Sequence, residues 1–391
     1  MTQNKKKLQV GYYTSTNFLD AAIETIQCLK SKVDLHLFIE ITMHSQKSTI
    51  VNIDDISKFN LIEKPESIFG VEQWLKIQKY FEGLSSVQFV VFKHRKNFSF
   101  NTLYSGLILS KYLRKLNLNI VHFDTISLRA IGMIKFLRRK KVVITLHDAI
   151  PHSGEQSWKE KLLSRLYYSL ASCFIFYSEY SLKEFKKLKD HKDKFLTSIY
   201  LQPYTYYSTI QRLIPFKENF ILFFGRLSYY KGIDILLDAI PIVLKKYPNQ
   251  LFYIIGKKVN NFEFNKEILK TYAENIITIT DFIPSDLLIQ FIKESKFIVC
   301  PYRDATQSGV LMTSKALGKI TIATDVGAFR EYISDGYDGF LCSPNAQSLA
   351  EKIIEAIENN KYKELEYNIN SNYSYDKATT NSMKILECYL N

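Results

Sequence analysis

Two segments in the second half of the chain carry residue types suited to holding a polyanion. The first, Phe223-Phe224-Gly225-Arg226-Leu227-Ser228-Tyr229-Tyr230-Lys231-Gly232, leads into Ile233-Asp234-Ile235-Leu236-Leu237-Asp238-Ala239-Ile240, whose apolar residues recur at helical spacing. Gly225 lets the backbone come close to a ligand, and Arg226 offers a planar fork to phosphate oxygens. Lys231 adds a point charge at a helix start, where free N–H groups already favour anions. Such a turn suits a diphosphate. A plain strand-to-helix turn with two solvated cations has the same local pattern, so this segment alone leaves both readings open.

The second segment is the apolar run Lys296–Tyr302 followed by Arg303-Asp304-Ala305-Thr306-Gln307-Ser308-Gly309-Val310 and a helical stretch to Leu317. Ser308 and Gly309 fall where a helix N-cap belongs, so their N–H groups and those of Val310 and Leu311 would point out of a helix start as unsatisfied donors. Further on come a strand-like Lys319–Gly327, Glu331 on a short helix and the turn Asp335–Gly339. In the first half, Val142–Leu146 ends on His147 and Asp148, and His152 follows on a loop. His122 and Asp124 end another strand-like run. A histidine in such a place either packs and hydrogen-bonds or takes part in chemistry.

The elements that must position these residues alternate. Strands are expected near Leu8–Tyr12, Leu35–Ile41, Val87–Phe92, Ile120–Phe123, Val142–Leu146 and Cys173–Tyr177, with helices near Leu19–Lys30, Tyr104–Leu116, Leu128–Arg138, Lys159–Leu170 and Leu182–Leu188. An irregular linker, Leu201–Pro215, precedes a second alternating series from Phe220 to about Glu358. Alternation of this kind predicts parallel sheets covered by helices. The expected fold is α/β, with two doubly wound, Rossmann-like domains facing across a cleft, and ligands beyond the carboxyl ends of their strands. The expected divisions are 1–205, 206–372 and a terminal helix within 373–391.

At 391 residues, two domains are the ordinary expectation, and 46% hydrophobic with 23% charged residues are globular values. Five scattered cysteines, Cys28, Cys173, Cys300, Cys342 and Cys388, show no paired spacing, which argues against a disulfide frame or zinc site and for a reducing compartment. The first residues lack a signal-peptide core, and no apolar run approaches the roughly 18 residues of a spanning helix, so a cytoplasmic, non-spanning protein is expected. The net charge of +13 is lopsided: residues 1–215 hold 32 Lys and Arg against 18 Asp and Glu, and residues 216–391 hold 20 against 21. Basic residues interleave with Leu, Tyr and Phe at Lys111–Lys115, Lys135–Lys141 and Trp158–Lys194. Such faces lie on anionic membranes, bind nucleic acid or are simply solvated.

The ordered motifs GRLSYYKGIDILLDAI, DFIPSDLL, SGVLMTSKALGKITIATDVG and REYISDGYDGFLC, over Phe220 to Ile357, resemble the nucleotide-sugar-binding half of the retaining GT-B glycosyltransferases of family 4. Val142–Asp148 and Phe174–Ser181 resemble that family's N-terminal strand ending in His and its strand, Ser-Glu-Tyr-Ser, helix element. The resemblance implies donor contacts at Gly225, Arg226, Lys231, Ile283, Gln307, Ser308, Gly309, Val310 and Glu331, with His147 catalytic and Asp148 and His152 on the acceptor side. It also implies a terminal helix that crosses back to the first domain, and it sets nucleic acid aside.

The chain departs from the pattern in two places. Tyr13-Thr14-Ser15-Thr16-Asn17 replaces the usual N-terminal glycine pair, and Thr306 and Ser314 stand where many members carry two acids, with Asp304 the nearest carboxylate. The implied function is retaining transfer of a sugar from a UDP- or GDP-sugar to a glycan or lipid-linked acceptor. It fits cell-surface polysaccharide synthesis at the inner face of the membrane, in peripheral contact with anionic lipid. No cofactor or metal is expected, since Asp54-Asp55 reads as surface and no Asp-x-Asp pair ends a strand. Two other readings keep the fold: an inactive partner or chaperone, and a sugar-nucleotide epimerase.

Overall fold

The computed structural model describes residues 7–48, 50–97, 99–148, 158–188, 193–210, 219–259, 262–281, 283–371 and 375–391. The chain divides into two compact units, Met1–Gln202 with Tyr375–Asn391, and Pro203–Ser374.

The first unit is built on an eight-stranded sheet: β1 (Gln9–Ser15), β2 (Asp34–Thr42), β3 (Ile62–Glu63), β4 (Ser86–Phe92), β5 (Ile120–Phe123), β6 (Lys141–Leu146), β7 (Cys173–Phe176) and β8 (Phe195–Ser198). Their spatial order is β3-β4-β2-β1-β5-β6-β7-β8. All pairs are parallel except β3 with β4. Strands such as Val142-Val143-Ile144 are apolar at every position because helices cover both faces of a parallel sheet. Six of the eight are legible as apolar runs. β3 and β8 sit at the two edges, and neither leaves a long apolar run in the sequence.

The helix expected over Leu128–Arg138 is instead a 3-10 turn, Leu128–Met133, followed by a short helix, Ile134–Leu137. Gly132 explains the break. It lies so close to the helix Phe100–Arg114 that a Cβ on it would collide with the Leu103 carbonyl oxygen and the Gly106 backbone.

The terminal helix Tyr375–Leu390 belongs to this first unit and packs against the helix Leu19–Leu29 and strands β6 to β8. Asn381 ties it down through the Tyr200 backbone, accepting from the N–H at 2.8 Å and donating to the carbonyl at 2.6 Å. Cys388 on this helix is joined to Cys173 of β7 in a disulfide, with Cα atoms 5.9 Å apart. This corrects the reading that the scattered cysteines argue against a disulfide. The partners are 215 residues apart, so no spacing rule could find them; Cys28, Cys300 and Cys342 are free.

The second unit holds a six-stranded, wholly parallel sheet of β9 (Phe220–Phe224), β10 (Leu251–Ile255), β11 (Ile276–Ile279), β12 (Ile298–Cys300), β13 (Thr321–Thr324) and β14 (Phe340–Cys342), in the order β11-β10-β9-β12-β13-β14. Each sheet therefore has one place where the winding reverses. In the first unit it falls between β1 and β5, and in the second between β9 and β12. The loops leaving such a pair of strands diverge to opposite faces and leave a crevice at the carboxyl edge, which is where ligands bind in open α/β sheets. Among the described residues no helix is long and apolar enough to cross a membrane.

Candidate active site

In the second unit the crevice between β9 and β12 gathers the two predicted anion-binding segments. Gly225 follows β9 with φ 125°, and a Cβ there would come within 3.2 Å of the Val310 side chain, so the first loop lies against the start of the helix Gly309–Ala316. The Arg303 N–H donates to the Tyr230 carbonyl at 2.8 Å, which stitches the same loop to the segment after β12. Gly232 is held even closer. It is left-handed at φ 63°, and any Cβ would fall on the Pro301 carbonyl oxygen. Only glycine combines that φ with that approach.

Lys231 is buried, with its Nζ 3.7 Å from the centroid of the Tyr302 ring and 5.1 Å from that of Tyr230. Aromatic faces stabilise a buried ammonium and fix its position. Arg226 is exposed on the same loop and donates from Nη2 to the Tyr230 hydroxyl at 3.0 Å. Ser308 caps the helix Gly309–Ala316, accepting from the Leu311 N–H at 3.2 Å. The Gly309 and Val310 N–H groups precede the first intrahelical bond, Met312 N–H to Ser308 carbonyl, and so add the partial positive charge of a helix start. Gly225, Arg226 and Lys231 thus lie on one loop and Ser308, Gly309 and Val310 at the helix start it meets through Gly225 and Val310, with half-buried Gln307 just before the cap.

Two predicted donor residues lie further out. Glu331 is exposed on the short helix Phe329–Tyr332, which docks on the same loop through the Ala328 N–H to the Ala305 carbonyl at 2.7 Å. Ile283 follows β11, two strands away from β9. At the positions where an acid pair would stand, Thr306 and Ser314 are buried, and the Ser314 hydroxyl donates back to the Val310 carbonyl at 2.8 Å. Asp304, two residues before Thr306, is half-buried.

Sequence reasoning missed a pair that braces this crevice. Arg303 grips Asp234, in the first turn of the helix Ile233–Lys246, and its guanidinium lies 4.2 Å from the centroid of the Tyr229 ring. Desolvation raises the Asp234 carboxyl, but the Arg303 hydrogen bonds and charge outweigh it and hold the group below the usual carboxylate range. The available signal was an Arg directly after the apolar run Lys296–Tyr302, which alone names no partner.

In the first unit the reversal between β1 and β5 holds a second cluster. Asp124 is fully buried and accepts from the Thr14 hydroxyl at 2.8 Å and the Tyr177 hydroxyl at 3.3 Å, with His147 Nε2 3.4 Å from its Oδ1. Burial alone would push this carboxyl up; the neighbouring imidazole and the Thr14 hydroxyl hold it below its ordinary value. His147 is also buried, with the rings of Phe18 and Tyr177 at 4.1 and 4.9 Å. The Thr14 that replaces a glycine pair is thus a ligand of Asp124.

His122, the other strand-end histidine, is used elsewhere. Its Nδ1 meets the Tyr389 hydroxyl of the terminal helix and its Nε2 the Thr145 hydroxyl, both at 2.7 Å. Burial pushes it down to about 4. Asp148 is exposed at the end of β6, and His152 lies outside the described residues.

Residues 209–372 match the family model for glycosyl transferases group 1, and residues 76–196 match that for Glycosyltransferase Family 4. The uncharacterized glycosyltransferase MJ1178 of Methanocaldococcus jannaschii is 30% identical over 46% of this chain and 52% of that protein. The O-antigen chain mannosyltransferase C of Escherichia coli is 25% identical over 64% of this chain and 68% of that protein. For most of the curated relatives it matches, the chain spans about half of their length. Among solved structures, Anabaena Alr3699/HepE in complex with UDP and glucose superposes with a TM-score of 0.67 at 16% identity, covering 97% of this chain and 98% of that one, a likeness of fold. Two glycosyltransferase family models that together take in more than half of the sequence show that the chain belongs to the family 4 glycosyltransferases, and the fold it shares along nearly its whole length is the GT-B fold.

Proposed function

We propose that this chain transfers a sugar from a nucleotide diphosphate sugar, UDP- or GDP-linked, to a glycan or lipid-linked acceptor, with retention at the anomeric carbon. Its place would be cell-surface polysaccharide synthesis at the inner face of the membrane. The observation that carries this reading is the crevice in which Lys231, Arg226 and the Ser308-capped helix start stand on two loops pinned together at Gly225 and Val310. As the glycosyl bond breaks, negative charge grows on the departing diphosphate. Fixed positive groups in a partly buried setting stabilise that charge without reorganising, which lowers the barrier rather than merely tightening binding. The protein's own cations are thereby assigned the role that a metal ion fills in other transferases.

The solved relative Anabaena Alr3699/HepE is described with UDP-glucose, and the E. coli relative is named for O-antigen chain mannosylation; both favour this substrate class. In the first unit, Asp124-held His147 would act on the sugar and Asp148 on the acceptor side. A second reading, an inactive partner protein, is favoured by the uncharged Thr306 and Ser314 where many members carry acids.

Titration with a panel of nucleotide sugars, followed by product analysis, separates the two readings. The transferase reading expects one donor to be bound and turned over, with Arg226→Ala and Lys231→Ala each weakening nucleotide affinity by about tenfold or more. Unchanged affinity in both variants rejects the diphosphate assignment, and binding without turnover supports the inactive partner.

A further inference from the structure

We propose that the outward face of the helix Phe100–Arg114 is the surface by which this chain docks on an anionic lipid bilayer, a proposal that rests on the reading of a membrane-associated transferase. The helix is apolar on both sides. Its inner side, Thr102, Gly106, Leu109 and Leu113, is buried, and Gly106 touches the backbone of Gly132. Its outer side carries Phe100, Leu103, Tyr104, Leu107 and Ile108 at 82%, 38%, 58%, 51% and 41% exposure. Those positions follow the spacing i, i+3, i+4, i+7, i+8, so they form one continuous stripe opposite the packed side. Single exposed apolar residues need no explanation, but a stripe of five large ones on one helix marks an interaction surface.

The charges around the stripe say what covers it. Lys93, Arg95 and Lys96 are exposed just before the helix, and Lys111, Arg114 and Lys115 are exposed at its end. The first group is fixed in place. The Arg129 guanidinium donates to the carbonyls of His94 at 2.6 Å and Arg95 at 3.2 Å, and the Thr102 hydroxyl to that of Lys96 at 3.1 Å. Lys135, Arg138 and Arg139 are exposed just beyond the turn that the helix packs on. Between Glu82 and Asp124 the sequence contains no acidic residue at all.

An apolar stripe with cations at both ends fits a lipid surface, where side chains enter the acyl boundary while lysines and arginines meet phosphates. A second copy of the same face would set cation against cation, and nothing in the stripe offers it an acid. Tyr104 adds an aromatic ring with a polar tip, a residue type favoured at the headgroup level.

Flotation of the full chain with vesicles tests this. Vesicles of phosphatidylcholine with a quarter phosphatidylglycerol should carry the chain at low salt, far more than phosphatidylcholine alone, and release it as salt rises. Leu107→Gln with Ile108→Gln, and separately Lys111→Glu with Lys115→Glu, should each lower the bound fraction about tenfold, while a Lys266→Glu, Lys270→Glu control on the exposed side of the helix Lys266–Thr271 should change little. Both helix positions in each pair are exposed, so melting temperatures should match the parent's.

If the parent fails to float on anionic vesicles at low salt, the membrane reading itself falls and the docking face with it. If the parent floats and the L107Q/I108Q protein floats equally, only the docking face is rejected. Self-association of the parent that disappears in L107Q/I108Q, without loss of flotation, would assign the stripe to a protein partner and overturn the proposal.

Discussion

Arg303 and Asp234, 69 residues apart, meet in a two-pronged contact, Nη1 to Oδ1 at 2.7 Å and Nη2 to Oδ2 at 2.5 Å. The pair clamps the segment after β12 to the first turn of the helix that follows the Gly225–Gly232 loop, so it braces both walls of the crevice proposed to hold the diphosphate. Its side chains are 29% and 45% exposed, which screens the charge and makes geometry its main contribution.

A double-mutant cycle of Arg303→Ala and Asp234→Ala, read by urea unfolding, should return a coupling of only about 1 kcal/mol. Nucleotide affinity should fall severalfold in either single variant, because the loops lose their register rather than a ligand contact. Equal affinity in parent and variants would show that the crevice holds its shape without the clamp.

Gly232→Ala is expected to be far more damaging than an exposed glycine change. Position 232 combines a left-handed φ of 63° with a carbonyl oxygen where the new methyl must sit. Both penalties fall on backbone, which cannot rotate away, so a loss of at least about 3 kcal/mol is expected in chemical denaturation. Gly336→Ala, at φ 73° with open space around it, supplies the comparison and should cost about 1 kcal/mol. Similar losses at both positions would mean that the Pro301 contact is unimportant.

Much of the fold was legible because parallel strands buried on both faces leave apolar runs that need no partner to be read. Phe220–Phe224, Ile120–Phe123 and Val142–Leu146 are of this kind. The glycine and cation spacing of 225–232 and the cap at Ser308 were legible for a similar reason: each is a local rule about a strand end or a helix start. Contacts between distant residues were not legible. His122 pairs with Tyr389 across 267 residues, Cys173 with Cys388 across 215, and Arg303 with Asp234 across 69. Nothing in a one-dimensional pattern selects those partners. Of the helix Phe100–Arg114, the stretch from Tyr104 and the basic end at Lys111–Lys115 were legible, but its bare apolar side was not, since apolar residues on both sides look the same in sequence whether the outer set is buried or exposed.

Acid should loosen the terminal helix through His122. The imidazole is neutral and buried between the Tyr389 and Thr145 hydroxyls, and desolvation lowers its pKa to about 4 from an unfolded value near 6.5. A depressed folded pKa means that this contribution is complete above about pH 6.5 and is lost as pH falls toward 4, to a total of about 3 kcal/mol. His122→Asn keeps a donor and an acceptor but does not titrate. It should be less stable at neutral pH, yet its unfolding free energy should fall less steeply between pH 6.5 and 4. Parallel stability curves for parent and variant would exclude His122 as the titrating group.

The strongest test of the first unit is Asp124→Asn. Asp124 holds three side chains from three elements, Thr14 of β1, His147 after β6 and Tyr177 after β7, so its charge fixes the position of the His147 ring. The amide is nearly isosteric but uncharged, and its NH2 can only donate where the second carboxylate oxygen accepted. One of the three contacts must therefore turn or break. A stability loss of about 1 to 3 kcal/mol is expected, the usual size for one unsatisfied buried group. If His147 acts on the sugar, kcat should drop by about a hundredfold, the lower end of what a positioned proton-transfer group contributes. Nucleotide affinity should stay within a factor of two or so, because the phosphate contacts proposed above belong entirely to the second unit. That split between kcat and donor affinity distinguishes a positioning role from general damage, which would lower both. Unchanged kcat in a folded Asp124→Asn protein would remove His147 and its partner from the mechanism and leave the crevice of the second unit as the whole of the catalytic machinery described.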